Sequence, residues 1–168
     1  MASIQKLELE VAEVKCSANN FYGLFKNNIN KLVEHFPENY QSVEVIEGDG
    51  ASVGSARLWK YELERTTAVN DESKSIAWNF YGGAMMDHYN SFGFTLVSVT
   101  PKGEGCCSVK WSVEFEKANE NVPTPNAYGI HVGLSTGLIV TDSGSAVFVT
   151  VIAHRMSDSF RLKFENQF

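Results

Sequence analysis

The chain of 168 residues is long enough for one domain with its own hydrophobic core and too short for two. Hydrophobic residues make up 43% of it and charged residues 20%, a composition typical of a folded protein and not of a disordered one. The formal net charge of −6 repels a phosphate backbone, so nucleic acid is not expected as a partner.

The three cysteines do not form the pattern of a disulfide framework, because their number is odd and two of them are adjacent (Cys16, Cys106 and Cys107). No cysteine or histidine spacing indicates zinc, and we expect neither a metal nor a cofactor. The first fifteen residues lack the pattern of a signal peptide, and the apolar stretch from Ala146 to Ala153 is much shorter than the ~20 residues of a membrane span. We therefore expect a cytoplasmic protein with buried, reduced thiols.

The first predicted elements are a strand and a helical segment. Hydrophobic residues from Leu7 to Val14 mostly alternate with charged ones, which predicts a half-buried strand. Ser17 is a candidate helix N-cap, and apolar residues follow it at helical spacing up to Phe36. Asparagines at 27, 28 and 30 are weak helix formers, so we predict a break into two short helices, the second ended by Pro37.

From Gln41 onward the pattern predicts about six consecutive antiparallel strands with short turns. Residues 56–63 alternate as one stretch, 66–69 form a short strand, and the glycines at 82 and 83 end the next strand. Phe94 and Leu96 share a face while Val97 and Val99 share the other, which predicts a bulge near Leu96. Residues 101–105 predict a hairpin turn before the clean alternation of 109–116.

A sheet of this length must curl, and its concave face needs a cover. The helical segment 17–36 can provide part of it. The aromatic residues on the presumed inward faces can form an ordinary core or the wall of a cavity: Trp59, Tyr61, Trp78, Phe80, Phe92, Phe94, Trp111 and Phe115.

Four segments in series resemble the major latex proteins, a plant branch of the Bet v I superfamily that is related to the class 10 pathogenesis-related proteins. They read VEVIEGDGASVGSARLW from Val43, ERTTAVNDESKSIAWNFYGG from Glu64, YNSFGFTLVSVTPKGEG from Tyr89 and VKWSVEFEKANENVPTPNAYG from Val109. The resemblance covers about residues 1–129 and rests on the series, since no single segment is specific.

The resemblance implies an α+β helix-grip (START-like) fold, in which a curved seven-stranded antiparallel sheet and two short helices enclose a cavity. It also implies binding of sterols, flavonoids, fatty acids or hormones, a role in plant defence or stress, and no catalysis in most members. In that light the aromatic set is expected to line the cavity, with three helical residues at its entrance or beneath the sheet: Phe21, Phe25 and Phe36.

The sequence departs from the family in two places. Gly50 stands where the major latex pattern usually carries Trp. After Gly129 the family expects a long amphipathic helix, but glycines at 129, 133, 137 and 144 and a β-branched run at 147–152 oppose one, each interior glycine by about 0.5–1 kcal/mol. We therefore divide the chain into a domain over 1–129 and an atypical tail over 130–168, and we hypothesise that the tail comes from an alternative reading frame, a retained intron or a gene-model error.

The glycine-rich loop is the motif most open to a second interpretation (Gly48, Asp49, Gly50 and Gly54). A phosphate-binding loop needs a following helix and usually a Lys, whereas here a strand follows and Ser55 holds that place. We predict a tight strand-to-strand loop with positive φ angles, and keep ligand gating or anion contact as the alternative.

The histidines provide no recognisable catalytic or metal-binding spacing (His35, His88, His131 and His154). Asp87, His88 and Tyr89 are the one local cluster that could transfer a proton. Tyr61, Tyr81 and His88 are candidates for polar groups at the mouth of a cavity.

These observations predict a monomeric carrier or sensor for a hydrophobic small molecule. One alternative is an enzyme that condenses amines with aldehydes, as in one branch of the superfamily, although the tail offers only Lys163 for the lysine that such enzymes carry in the C-terminal helix. The other is a binding-deficient interaction protein that associates because its tail leaves the cavity open.

Overall fold

The alternating segments of the chain fold into one seven-stranded antiparallel sheet, in the order β1-β7-β6-β5-β4-β3-β2. The computed structural model describes residues 3–35, 37, 41–60, 62–122, 124, 136–140, 146–156 and 159–165. The strands are β1 (Gln5–Val14), β2 (Val43–Glu47), β3 (Ala56–Trp59), β4 (Glu62–Asn70), β5 (Ser75–Gly83), β6 (Tyr89–Gly103) and β7 (Cys106–Lys117). The predicted run of six consecutive strands after the helical segment is therefore confirmed, and β1 completes the sheet against β7.

The bulge predicted in β6 is confirmed. The register with β7 shifts between Leu96 and Ser98, which lie opposite Trp111 and Lys110. An extra residue in one strand shifts the alternation, so the side chains that follow it point to the opposite face from the one expected. Leu96 and Val99, three positions apart, are therefore both buried in the core.

Two turn predictions were wrong, because strand pairing continues through residues that favour turns. Residues 101–103 belong to β6, so the hairpin to β7 turns only at 104 and 105. Gly82 and Gly83 pair with β4 inside β5; a Cβ at Gly82 would lie 2.8 Å from the Leu63 side chain, so glycine permits a close approach there. The predicted strand bounds were also wrong in the next stretch: 56–63 is split between β3 and β4, and 66–69 is only part of β4.

The helical segment breaks where the asparagines predicted, into α1 (Ala18–Asn27) and α2 (Asn30–His35). The Ser17 hydroxyl accepts a hydrogen bond from the Asn20 amide at 3.3 Å, which makes Ser17 the N-cap of α1. At the other end, the Asn28 amide donates to the carbonyls of Gly23 and Leu24. The second helix ends at His35, before Pro37.

Helix α1 packs on the concave face and is tied to the turn between β4 and β5. The Phe25 ring contacts the Trp111 ring edge-on, with 5.1 Å between their centroids. The Tyr22 hydroxyl donates to the Asp71 carboxylate at 2.7 Å, and Lys26 Nζ lies 2.5 Å from the same oxygen. Helix α1 is therefore held by apolar packing against β7 and by polar contacts with the turn between β4 and β5.

The described segments of the tail are strands: β8 (Thr136–Val140), β9 (Ala146–Met156) and β10 (Ser159–Glu165). They form a separate three-stranded antiparallel sheet in the order β10-β9-β8. The β-branched run 147–152 lies in β9, in agreement with the expectation that it opposes a helix. The domain boundary at Gly129 stays a prediction. Across the described ranges, no helix combines the length and apolar character that crossing a bilayer requires.

Candidate functional site

The concave face of the sheet presents two rows of side chains that run across its strands. Directly opposed residues of antiparallel strands point to the same face, so the pairing defines each row. The first row runs from β2 to β1 through Val45, Arg57, Glu64, Phe80, Phe92, Phe115 and Gln5. The second row runs from β4 to β1 through Thr66, Trp78, Phe94, Val113 and Leu7.

The aromatic rings of these rows contact one another. Phe94 of the second row stacks on Trp78 in the same row at a centroid distance of 6.2 Å, and on Trp111, which lies in β7 outside the two rows, at 4.8 Å. In the first row Phe80 and Phe92 meet edge-on at 5.7 Å, and Phe92 and Phe115 stack at 6.5 Å. Stacked and edge-on pairs of this kind contribute stabilisation beyond that of the buried apolar area. The rings therefore form one continuous aromatic surface on this face.

Most of the predicted ligand-binding residues lie on this surface. Six of them are buried in β5, β6 and β7: Trp78, Phe80, Phe92, Phe94, Trp111 and Phe115. Phe21 and Phe25 reach it from α1, and Trp59 is half-buried in β3. Phe36 and Tyr61 lie outside the described residues. The role of these residues in ligand binding stays a prediction.

A buried ion pair, which the sequence did not predict, lies beside the aromatic surface. Arg57 and Glu64 are only 2% and 4% exposed, and Arg57 Nε lies 2.6 Å from Glu64 Oε1 in an ion pair without the alignment of a directed hydrogen bond. The guanidinium carbon is 5.7 Å from the centroid of the Trp78 ring. Burial raises the pKa of Glu64, because loss of solvation outweighs the attraction of Arg57.

The alternating pattern did indicate an inward position for Arg57, because it lies two residues before Trp59 in the same strand and both side chains therefore share a face. Sequence reasoning missed the pair because charged residues in strands are ordinarily solvated, and because Glu64 comes to lie opposite Arg57 only in the folded register.

The glycine-rich loop joins β2 to β3, and its predicted positive φ angles are confirmed at Gly48 (76°), Gly50 (79°) and Gly54 (91°). The Asp49 carboxylate fills the turn: its Oδ1 accepts from the amides of Ala51 at 2.8 Å and Ser52 at 2.7 Å. It also accepts from the hydroxyls of Ser52 and Ser55. These amides are engaged by a carboxylate of the chain itself, which favours a structural loop over a phosphate cradle.

The cluster proposed for proton transfer is divided between surface and core. Asp87 ends a 3₁₀ turn (Ala84–Asp87) and is exposed, as is His88. Tyr89 is buried, with its ring 5.2 Å from that of Phe92. Tyr81 lies on the face opposite to Phe80, where the Arg65 guanidinium carbon is 5.2 Å from its ring centroid. In the part of the chain that the structure describes, no group of three acidic, histidine or cysteine side chains is placed to hold a metal.

Comparison with known proteins agrees with this architecture. The sequence model of the Pathogenesis-related protein Bet v 1 family matches residues 2–133. Major latex protein 146 of Papaver somniferum is 38% identical over 133 residues, which is 74% of this chain and 82% of that protein.

Two solved structures share the fold. The crystal structure of ginseng major latex-like protein 151 from Panax ginseng superposes with a TM-score of 0.68 at 27% identity, covering 77% of this chain and 90% of that one. Norcoclaurine synthase from Thalictrum flavum superposes with a TM-score of 0.57 at 20% identity, covering 78% of this chain and 84% of that one, a likeness of fold alone. Sequence and structure together therefore establish that the chain belongs to the Bet v 1 family, in its major latex protein branch.

Proposed function

We propose that this protein binds an apolar small molecule against the concave face of the sheet and acts as its carrier or sensor. The observation that supports this most directly is the aromatic surface, in which rings from three adjacent strands and from α1 face the same interior. Membership of the Bet v 1 family supports a ligand-binding or defence-related role in general. Sterols, flavonoids, fatty acids and hormone-like molecules are the ligand classes we propose.

Affinity would come mainly from removing the ligand's own apolar area from water, because the rings of the aromatic surface in β5, β6 and β7 are already buried. Apolar contact contributes about 25 cal/mol per Å² removed from water, before the loss of translational and side-chain freedom is subtracted. Rings that are already held by neighbouring rings lose little further freedom when a ligand binds. A flat or elongated apolar molecule suits such a surface better than a polar one does.

The test is a fluorescence titration of the full chain with N-phenyl-1-naphthylamine, an uncharged probe whose emission rises in apolar surroundings. We expect saturable binding and displacement by a sterol, a flavonoid or a fatty acid. The variant Phe94→Ala removes a ring that contacts both Trp78 and Trp111, and it is expected to change the dissociation constant of the probe.

The matched control is Tyr81→Ala, which removes a ring from the opposite face of the same sheet and should leave probe binding unchanged. Circular dichroism establishes that both variants are folded before they are compared. Probe binding that does not saturate, or that responds equally to both substitutions, would contradict the proposal.

A further inference from the structure

Between Val45 and Gln5 at the sheet edges, the first row of the concave face has a polar part, the buried ion pair, followed by an aromatic part. Arg57 and Glu64 lie in β3 and β4, and the aromatic members of the row follow in β5, β6 and β7. Neighbouring strands lie about 4.8 Å apart, so the row from Arg57 to Phe115 spans about 19 Å. This is the scale of an elongated amphipathic molecule.

Arg57 has hydrogen-bonding capacity that its ion pair does not use. Its Nη1 is buried and has no hydrogen-bond partner among the described residues. A buried donor without a partner is costly, and native proteins rarely keep one without a reason. The guanidinium is a rigid fork of five donors whose geometry matches a carboxylate.

We propose that Arg57 is the specificity-determining residue for the ligand of the concave face, and that it selects an apolar carboxylic acid. The carboxylate of this ligand contacts the guanidinium, and its apolar part lies along the aromatic part of the row. This inference rests on the proposed function and adds the chemical class of the ligand. Glu64 Oε1 lies beside Nε of the guanidinium, and Nη1 is the buried donor that the ligand's oxygen would meet.

Proximity to the face of Trp78 keeps the guanidinium next to the aromatic surface, where an acid with a ring or a chain would also lie.

The test compares two probes that differ only in the acid group: cis-parinaric acid, a fluorescent fatty acid, and its methyl ester, each titrated into the full chain at about pH 8, where the acid is ionised. A hydrogen bond to a charged group in a desolvated site corresponds to roughly a ten- to hundredfold difference in dissociation constant. We therefore expect the acid to bind at least about tenfold more tightly than the ester.

The decisive variant replaces both charges of the pair, Arg57→Met with Glu64→Leu. Exchanging a buried ion pair for apolar residues of similar volume is often neutral for stability, whereas removing one partner leaves a buried charge unpaired. This double variant is expected to bind the ester as the wild type does and to lose the preference for the acid.

The matched control makes the same two substitutions in the ion pair on the other face, Arg65→Met with Glu47→Leu, whose Nη2 and Oε2 atoms are 2.7 Å apart. It changes the charges of the chain identically and should keep the preference for the acid. A preference that disappears equally in both double variants would be a general charge effect and would overturn the assignment to Arg57.

The remaining outcomes separate this inference from the proposed function. Equal binding of acid and ester by the wild type would overturn the role of Arg57 and leave apolar binding intact. A preference for the acid that survives Arg57→Met with Glu64→Leu would likewise overturn it. Absence of binding for both probes would remove the proposed function and this inference together.

Discussion

At the scale of single residues, Asp49 shows how one side chain fixes a loop. Two backbone amides and two hydroxyls converge on its carboxylate, and these donors hold the pKa of Asp49 well below its usual range, with the hydrogen bonds from Ser52 the largest cause. The glycines around it supply the positive φ angles that such a tight path requires. The loop is therefore set by local chemistry.

This arrangement predicts a pH-dependent effect of Asp49→Asn. A carboxyl whose pKa is lower in the folded state stabilises the fold fully above its unfolded pKa of about 4, and loses that contribution as pH falls through the folded value. We expect the variant to be less stable than the wild type at neutral pH, and the gap to narrow below about pH 4. Urea midpoints measured from pH 7 to about pH 2 provide the check. Glu120→Gln, which removes the same charge from an exposed residue, is the control; a gap independent of pH would refute the assignment.

At the scale of secondary-structure elements, caps and pairings decide where each element ends. Ser17 begins α1 through its hydroxyl, as its position before an apolar helical pattern predicted. The ends of β5 and β6 were predicted less well, because glycine and proline can continue a strand when a neighbouring strand pairs with them. In this chain the capping residue marks the start of α1, whereas pairing with neighbouring strands decides where β5 and β6 end.

The cap of α1 gives a direct prediction. Ser17→Ala removes the acceptor of the Asn20 amide and is expected to lower the free energy of unfolding by about 1 kcal/mol. Ser42→Ala, at an exposed position before β2, should change it by less than about 0.5 kcal/mol. Urea unfolding of the two variants and the wild type measures both effects; indistinguishable midpoints for the two variants would show that the cap contributes nothing.

At the scale of the whole molecule, a few rings join the layers. Trp111 in β7 contacts Phe94 in the same sheet and both Phe21 and Phe25 in α1. The helix is therefore attached to the sheet at the residue that also completes the aromatic surface. Stability and the proposed binding face depend on the same contacts.

A double-mutant cycle between Phe25 and Trp111 tests this attachment. Phe25→Ala alone is expected to cost about 3–5 kcal/mol in free energy of unfolding. Because the rings meet edge-on, the loss from Phe25→Ala and Trp111→Leu together should fall short of the sum by about 0.5–1.5 kcal/mol. Combining Phe25→Ala with Val45→Ala, at an exposed position of the edge strand, should give additive losses. Additive losses in the first cycle would mean that the two rings do not interact energetically.

The sequence by itself determined the period-two strands, the broken helix, the bulge in β6 and the inward positions of the aromatic residues in β5, β6 and β7. Each of these follows from spacing along a short segment, where backbone geometry alone fixes which side chains share a face. The family resemblance, carried by four segments, was likewise readable from sequence and is confirmed.

Only the tertiary structure decided the pairing of Arg57 with Glu64, the continuation of β5 and β6 through their glycines, and the assembly of the tail strands into a second sheet. These depend on which strands meet and in what register, and local spacing carries no information about partners distant in the chain. Arg57 is the clearest case, because alternation puts it on the same face as Trp59, but only the folded register brings Glu64 and Trp78, from two other strands, next to its buried charge.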